Sequence, residues 1–265
     1  MLTPSINTMK TNLNKLSSLS LLAMLGAASC FVVGSASAAL IGEWNFDSST
    51  LDNNGTTGAT HDGTASGSLS YEAADFSAGF DSGNALNASA GSFSINNSAS
   101  GDAGYVDTFD GTSFSVSLWM KAPVGANWQI AARKGEDANW KIRQFLDGPS
   151  AEVRVDNARD NTFATAFNDE WHHVVLTVDN GTTATSYWDG NLNKAWAVSY
   201  TAADASALLF GEFVGLIDEV KFYDGVLTST EVTNLNTTNV IPEPGSYALL
   251  AGLAGMAFVM ARRRI

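Results

Sequence analysis

Residues 114–120 read FSVSLWM, and the alternation of apolar and polar side chains in this stretch decides the fold. A period of two residues is typical of a β-strand with one buried face, whereas a helix repeats every 3.6 residues. Residues 171–178, WHHVVLTV, repeat the alternation more loosely. The sequence therefore predicts antiparallel strands that bury one face each.

Strand candidates and turn signals continue on both sides of this stretch. The further candidates are 42–46, 128–133, 140–145, 151–155, 183–188, 207–210 and 216–223. Asp-Gly and Asn-Gly pairs separate them, at positions 54, 62, 110, 147, 180 and 189. Short strands joined by tight turns are typical of all-β proteins, so we expect a two-sheet antiparallel jelly-roll sandwich.

Two further segments complete the predicted domain. Thr228 and Glu231 have the spacing of a capping box, with apolar residues behind them. This spacing predicts one short helix at about 229–235, after the last strand. Residues 48–104 are rich in Ser, Thr, Asn, Gly and Ala, and we interpret them as loops and short edge strands.

The first 38 residues have the order of a secretory signal peptide. Two lysines precede an uncharged apolar run, and Ala36 and Ala38 supply the small residues of a cleavage site. Cleavage after Ala38 would make Ala39 the first mature residue, whether translation starts at Met1 or Met9. The alternative is an uncleaved anchor helix.

Charge and cysteine content narrow the classes of function. The chain has 14 Lys and Arg against 27 Asp and Glu, a net charge of −13. Without the predicted signal and the tail from Pro242 onward, 9 basic and 26 acidic residues remain, or −17. A domain with this much negative charge repels the phosphate backbone of nucleic acids, which argues against nucleic-acid binding. Cys30 is the only cysteine and lies in the signal, so the mature domain would depend on its hydrophobic core.

Six phrases follow one another in an order that one family shares. They begin at Gly42, His61, Phe114, Trp171, Tyr187 and Gly215, and read GEWNFD, HDGT, FSVSLWMK, WHHV, YWDG and GLIDEVKFY. Over about residues 41–235 the chain resembles the laminin-G-like, concanavalin-A-like jelly-roll family. The resemblance implies a jelly-roll domain at 39–236 and a linker at 237–241. It also implies adhesion or carbohydrate binding.

The C-terminal segment 242–265 resembles a known type of sorting signal. Pro242-Glu243-Pro244, an apolar run and Arg262-Arg263-Arg264 are similar to the PEP-CTERM sorting signal of Gram-negative bacteria. The resemblance implies recognition by an exosortase-type transpeptidase in bacteria that secrete exopolysaccharide.

The length of the apolar run agrees with a sorting signal. Residues 247–261 are 15 residues, or about 22 Å of helix, which is short against a hydrocarbon core of about 30 Å. We therefore expect transient insertion into the inner membrane, with the arginines on the cytoplasmic side. The alternative is a permanent C-terminal anchor.

A catalytic motif is missing from the sequence. Related jelly-roll hydrolases carry Glu-x-Asp-x-x-Glu, but the stretch from Glu152 to Asp156 has Arg154 in the central position. Asp218 and Glu219 are adjacent and so point to opposite faces of a strand. We therefore expect no enzymatic activity. The alternatives are a glycan-active hydrolase or lyase with unrecognised catalytic acids, and a purely structural matrix protein.

Two groups of residues in the sequence are candidates for metal binding. His172 and His173 would point to opposite faces of one strand, so we interpret them as packing and hydrogen-bonding residues. Calcium prefers several carboxylate and carbonyl oxygens. The family resemblance suggests one structural Ca²⁺ held by Asp47, Asp62 and Asp218. The alternative for Asp218 is a turn cap or a bond to a backbone amide.

Tryptophans could stack on sugar rings if they lie exposed. Trp44, Trp119 and Trp171 fall within strand phrases, so we expect them in the core. Trp140 and Trp188 lie nearer to loops or edges and are the candidate glycan-binding residues.

The combined prediction is an exported protein of a Gram-negative bacterium. Signal peptidase and the general secretion machinery would deliver it, and sorting would place it at the cell surface or in the extracellular matrix. There the jelly roll would bind extracellular polysaccharide or mediate adhesion in a biofilm. The sequence does not name the ligand.

Overall fold

The computed structural model describes residues 38–75, 83–95, 109, 111–124, 129–135, 139–145, 148–160, 162–201 and 207–239. These residues belong to one unit, which begins at Ser37. Most of the predicted signal peptide and the whole predicted sorting signal lie outside the described residues. Within the described ranges, no helix combines the length and the apolar character that crossing a bilayer requires.

The described residues form fifteen β-strands. They are β1 Leu40–Trp44, β2 Thr64–Gly67, β3 Ser70–Ala73, β4 Asn84–Asn87, β5 Gly91–Ile95, β6 Phe114–Lys121, β7 Ile130–Lys134, β8 Trp140–Gln144, β9 Ala151–Val155, β10 Ala158–Arg159, β11 Trp171–Asp179, β12 Thr183–Trp188, β13 Asn191–Ala197, β14 Leu208–Gly211 and β15 Leu216–Tyr223. A 3₁₀ helix, Gly58–His61, and one α-helix, α1 Ser229–Thr238, accompany them.

The strands pair antiparallel in two sheets. Sheet A has the order β13-β12-β11-β6-β15-β4-β3, and β1 also pairs with β15. Sheet B has the order β10-β9-β8-β7-β14-β5-β2. Neighbours such as β6 and β15 are far apart in sequence, as expected of a jelly roll. The predicted two-sheet antiparallel sandwich is confirmed.

Alternating side chains of both sheets meet in one core. In β11 of sheet A, Val174, Leu176 and Val178 point inward and are completely buried. Phe210 of sheet B lies 6.3 Å from Trp44 of sheet A, measured between ring centroids. Aromatic contacts of this kind hold the two layers together.

Helix α1 covers part of the outer face of sheet A. Its Val232 and Leu235 pack with Val175 and Tyr223 in a second, smaller cluster. Thr228 and Glu231 form the capping box predicted from their spacing, with each side chain bonded to the other's backbone amide. The helix extends three residues beyond the predicted end at 235.

Candidate functional site

One end of the sandwich holds an open cleft, which we call the end cleft. It consists of two adjoining hollows of about 480 Å³ and about 280 Å³. Ser89, in the turn between β4 and β5, and Val214, in the loop between β14 and β15, line both hollows. The larger hollow takes its polar lining from Ser66, Ser89, Ser92, Gln129 and Glu212. The cleft is thus built from turns of both sheets.

The backbone beside the end cleft is packed too closely for larger residues at two positions. Gly211 ends β14 with φ 107°, and a Cβ there would lie 2.8 Å from Cα of Ser92. Gly67 ends β2 with φ 83°, and a Cβ there would lie 2.6 Å from the carbonyl oxygen of Ala90. Glycine tolerates both conformations and leaves room for the neighbouring strand. The walls of the cleft are therefore held close together before any ligand arrives.

Side-chain bonds fix the loop between β14 and β15. The Oε1 atom of Gln129 accepts a hydrogen bond from the backbone amide of Val214 at 2.6 Å. Its Nε2 donates to Oε1 of Gln144 at 3.3 Å. Glu212 pairs with Arg133, with 3.1 Å between Oε2 and Nε. The loop is therefore tied to sheet B from two sides.

The smaller hollow has a charged wall formed by Glu72, Asn87, Lys121 and Asp169. Nζ of Lys121 lies 2.9 Å from Oδ2 of Asp75, and Nε1 of Trp171 donates to Oδ1 of the same carboxylate at 2.8 Å. The hydrogen bonds from Lys121 and then from Trp171 lower the pKa of Asp75. This carboxylate therefore holds both side chains in place beside the hollow.

The end cleft combines hydrogen-bonding groups with apolar surface from Ala88, Ala90 and Phe213. Hydroxyl, amide and carboxylate groups surround Val214, which is 51% exposed. A few convergent polar groups in a preformed concave site orient a ligand and give it specificity. Chemically, the cleft suits a neutral molecule with many hydroxyl groups.

The structure corrects the assignment of the tryptophans. Trp140 is completely buried and Trp188 is 2% exposed, so neither offers a ring face to a glycan. Trp140 belongs to β8 and Trp188 to β12, and both side chains point into the core between the sheets. Trp44 is in the core as predicted, but Trp119 and Trp171 are half-buried and lie on the outer face of sheet A.

The three predicted calcium ligands do not form one site. Asp218 is completely buried, and its Oδ1 accepts a hydrogen bond from the amide of Glu219 at 2.8 Å. Asp62 is exposed and accepts from the amide of Asn53 at 2.9 Å. Among the described residues, Asp47 included, no three His, Cys, Asp or Glu side chains come together as a metal site would need. Calcium binding stays a prediction.

The two adjacent histidines have the packing role expected of them. Nδ1 of His172 lies 2.9 Å from Oδ2 of Asp189. Nε2 of His173 lies 2.8 Å from Oγ of Ser117, and its ring stacks on Trp119 with 5.0 Å between centroids. Burial lowers the pKa of His173 to about 3, so it is neutral at physiological pH.

The residues of the predicted processing sites lie mostly outside the described part of the chain. Ala36, Pro242, Glu243, Pro244, Arg262, Arg263 and Arg264 belong to this group. Ala38 is half-buried beside the cluster under α1. The backbone nitrogen of Ala39 donates to Oδ1 of Asp224 at 2.7 Å.

Comparison with known families agrees with this architecture. The Laminin_G_3 model, described as the concanavalin A-like lectin/glucanases superfamily, matches residues 93–233, more than half of the chain. The chain belongs to this family. The family places the protein among concanavalin A-like jelly-roll domains. No curated protein is similar enough to count as a match.

Solved structures share the fold at low sequence identity. Domain 4 of AbnA, a GH43 extracellular arabinanase from Geobacillus stearothermophilus, in complex with arabinotriose, matches with a TM-score of 0.59 and 22% identity, over 76% of this chain and 100% of that one. The binding domain of Botulinum neurotoxin DC, in complex with rat synaptotagmin II, matches with a TM-score of 0.57 and 14% identity, over 75% and 51%. The binding domain of Paraclostridial Mosquitocidal Protein 1 matches with a TM-score of 0.55 and 14% identity, over 75% and 52%.

Sequence reasoning missed the end cleft because its residues form no motif. Ser66 lies in the edge strand β2, Ser89 in a turn and Ser92 in β5, and serine is common in turns and loops. Only the pairing of β2 with β5 and of β5 with β14 brings them beside Glu212. The glycines at the ends of β2 and β14 were the available signal, since glycine at a strand end marks a close backbone approach.

Proposed function

We propose that the domain is a non-catalytic carbohydrate-binding module and that the end cleft receives the sugar. The observation that carries this proposal is the convergence of hydroxyl, amide and carboxylate groups on one preformed, open cleft. Sugar hydroxyls both donate and accept hydrogen bonds, so they match such a lining. Because the loop is already fixed by Gln129 and Arg133, binding would cost little ordering entropy.

The arabinanase domain supports this proposal. It is a separate domain of an extracellular glycan-active enzyme, it is in complex with arabinotriose, and this chain covers all of it. A sugar ligand is therefore compatible with a domain of this size and topology. The identity of the sugar depends on the loops around the cleft and is a matter for experiment.

We also propose that the protein is exported and sorted to the surface or extracellular matrix of a Gram-negative bacterium. Signal peptidase would act after Ala38 and an exosortase-type transpeptidase at the segment that begins with Pro242. The bond from the nitrogen of Ala39 to Asp224 supports the first site. An α-amino group created there would keep this contact as an ion pair. Intact mass in each cell fraction tests the proposal, and a membrane-bound species that keeps Arg262–Arg264 would overturn it.

A glycan array probed with the full-length protein tests the binding function. Binding to a defined group of neutral glycans is expected, without release of reducing sugars from them. Release of reducing sugars would instead support the alternative of a hydrolase. A lyase would create unsaturated sugar ends, which would be detected by their ultraviolet absorbance. No binding to any glycan would support a purely structural role.

A further inference from the structure

The few basic residues of the acidic domain are concentrated in one part of sheet B. Residues 39–241 contain nine Lys and Arg side chains, and six of them lie between positions 133 and 159. These are Arg133, Lys134, Lys141, Arg143, Arg154 and Arg159, all on the neighbouring strands β7 to β10. Lys134 directly follows Arg133 and is completely buried, so it points to the opposite face. The other five lie on one face of sheet B, in a chain with 26 acidic residues over the same range.

Four of these side chains form a continuous row across the sheet, which we call the cationic row. Arg133 is paired with Lys141, Lys141 with Arg154, and Arg154 with Arg159. Residues directly opposite on antiparallel strands are close neighbours, and like charges in such pairs repel each other. The register thus sets three like-charged pairs in succession.

The cationic row lies on the outer face of sheet B. Ala132, Ile142 and Val153, one position away on the same strands, are completely buried in the core. Because successive side chains of a strand point to opposite faces, the cations must point away from the core. Arg159 is the exposed end of the row, at 54% of its side chain, whereas the Arg133 side chain is 17% exposed and Lys141 is 4% exposed.

Nearby carboxylates already have arginine partners. Glu152 is completely buried, and its Oε1 accepts a hydrogen bond from Nε of Arg143 at 2.8 Å, while Oε2 lies 3.3 Å from Nη1 of Arg159. Glu212 is paired with Arg133. These acids fix the arginines at the two sides of the row.

Arg154 lies in the middle and has no acidic partner in the described part of the chain. Its side chain donates no hydrogen bond there, and its Nε is buried without a hydrogen-bond acceptor. A half-buried guanidinium between two other cations is a costly arrangement for folding alone. An incoming anion would supply the missing acceptor and relieve the repulsion.

The geometry of Arg159 adds a second donor group. Its guanidinium carbon lies 4.8 Å from the centre of the Phe145 ring. This stacking and the contact with Glu152 hold the planar group in a defined orientation. Arg154 and Arg159 are directly paired in the backbone register, so both side chains leave the same face of the sheet.

We propose that the cationic row binds an acidic polysaccharide through the carboxylate or sulfate groups of its sugar units. Arginine forks bind such planar or tetrahedral oxyanions by paired, charge-assisted hydrogen bonds. The negative charge of the rest of the domain repels every polyanion, so the attraction must come locally from the arginine forks of the row. This site is separate from the end cleft, and the proposal does not depend on the binding of neutral sugars there.

Affinity of the full-length protein for polygalacturonate and for dextran sulfate tests the proposal, with unsubstituted dextran as the neutral reference. Arg154→Ala should weaken binding about 10-fold and Arg154→Ala with Arg159→Ala about 100-fold. Arg154→Lys should recover part of the affinity, because a lysine keeps the charge without the fork. Raising the salt concentration should weaken binding to the charged polymers.

Val226→Glu is the matched control, because it lowers the net charge by one, as Arg154→Ala does, at an exposed position after β15, and it should leave this affinity unchanged. Arg154→Ala should melt at or above the temperature of the unaltered protein, since it removes an unpaired cation beside like charges. A loss of binding together with a lower melting temperature would mean that Arg154 serves the fold, which overturns the proposal.

Further results would also overturn it. These are unchanged affinity in Arg154→Ala, equal loss in Val226→Glu, no binding to either charged polymer, and tighter binding to duplex DNA than to both. The tighter of the two charged polymers identifies the group that the row prefers. Failure at this site leaves neutral-glycan binding at the end cleft intact, so the two proposals can fail separately.

Discussion

Asp160 gives the domain a stability that depends on pH. It directly follows β10, and its Oδ1 accepts a hydrogen bond from the amide of Val153 at 2.9 Å in sheet B. Its Oδ2 accepts from Oγ of Ser186 at 2.8 Å and from Nδ2 of Asn193 at 2.9 Å, both in sheet A. The residue is 4% exposed, and this burial raises its pKa from 3.8 to about 6. Asp160 therefore joins the edges of the two sheets and is hard to ionise.

The sign of the effect follows from the raised pKa. The folded state binds the proton of Asp160 more tightly than the unfolded state does, so protonation stabilises the fold. This contribution is fully present below about pH 4 and is lost as the pH rises to about 6. A difference of about two pKa units corresponds to about 3 kcal/mol in the free energy of unfolding.

Urea unfolding of the protein and of Asp160→Asn, followed by tryptophan fluorescence from pH 4 to pH 7, measures this contribution. Asparagine cannot titrate, so the stability of the unaltered protein relative to the variant should rise by about 2–3 kcal/mol on going from pH 7 to pH 4. Asp179→Asn, at an exposed position, controls for the loss of one negative charge. Two stability curves that stay parallel over this range would refute the reasoning.

Four other predictions address the fold and its sites. Thr228→Ala removes the side-chain cap of α1 and should lower the free energy of unfolding by about 1 kcal/mol in urea. Trp140→Ala leaves a cavity in the core and should lower the free energy of unfolding by about 3–5 kcal/mol. Loss of glycan binding with unchanged stability would contradict the place of Trp140 in the core. Burial lowers the pKa of His173 to about 3, so the neutral ring is the form that the fold stabilises. The free energy of unfolding should therefore decline as the pH falls from about 6.5 toward 3. In His173→Asn, urea unfolding should show a smaller decline. If calcium binds, millimolar calcium should raise the melting temperature, and Asp47→Asn should abolish this rise. An unchanged melting temperature in the unaltered protein would rule out the ion.

The sequence predicted the central strands well because their side chains alternate. The predicted strands 151–155, 183–188 and 216–223 have the observed bounds. The two strands in the middle of sheet A, β6 and β11, each differ from prediction by one residue at the C-terminal end. Burial of one face imposes this alternation, which is why it can be read from the sequence.

Edge strands were harder to predict. In β13, Asn191–Ala197, the only buried side chain is Trp196, so no alternation marks the strand. Strand β2 is exposed along its whole length. Such strands exist because a neighbour supplies hydrogen bonds, a tertiary effect that local pattern cannot show.

The candidate sites depend on register more than on residue type. Trp140 and Trp188 were expected at an exposed face, but the register turns both rings inward. The cationic row appears only when β7 to β10 are aligned, because its four members stand on four different strands. A shift of one residue in any of these strands would turn its cation to the other face.

Titration calorimetry with a neutral glycan selected on the array tests the central claim most directly. The proposal predicts saturable binding to the full-length protein, lost in Val214→Arg because a long charged side chain would fill the end cleft. Leu192→Arg should bind normally, since Leu192 is 63% exposed on β13, at the far edge of sheet A. Equal affinity in all three proteins, or no saturable binding to any of them, would contradict the claim that the end cleft is a carbohydrate site.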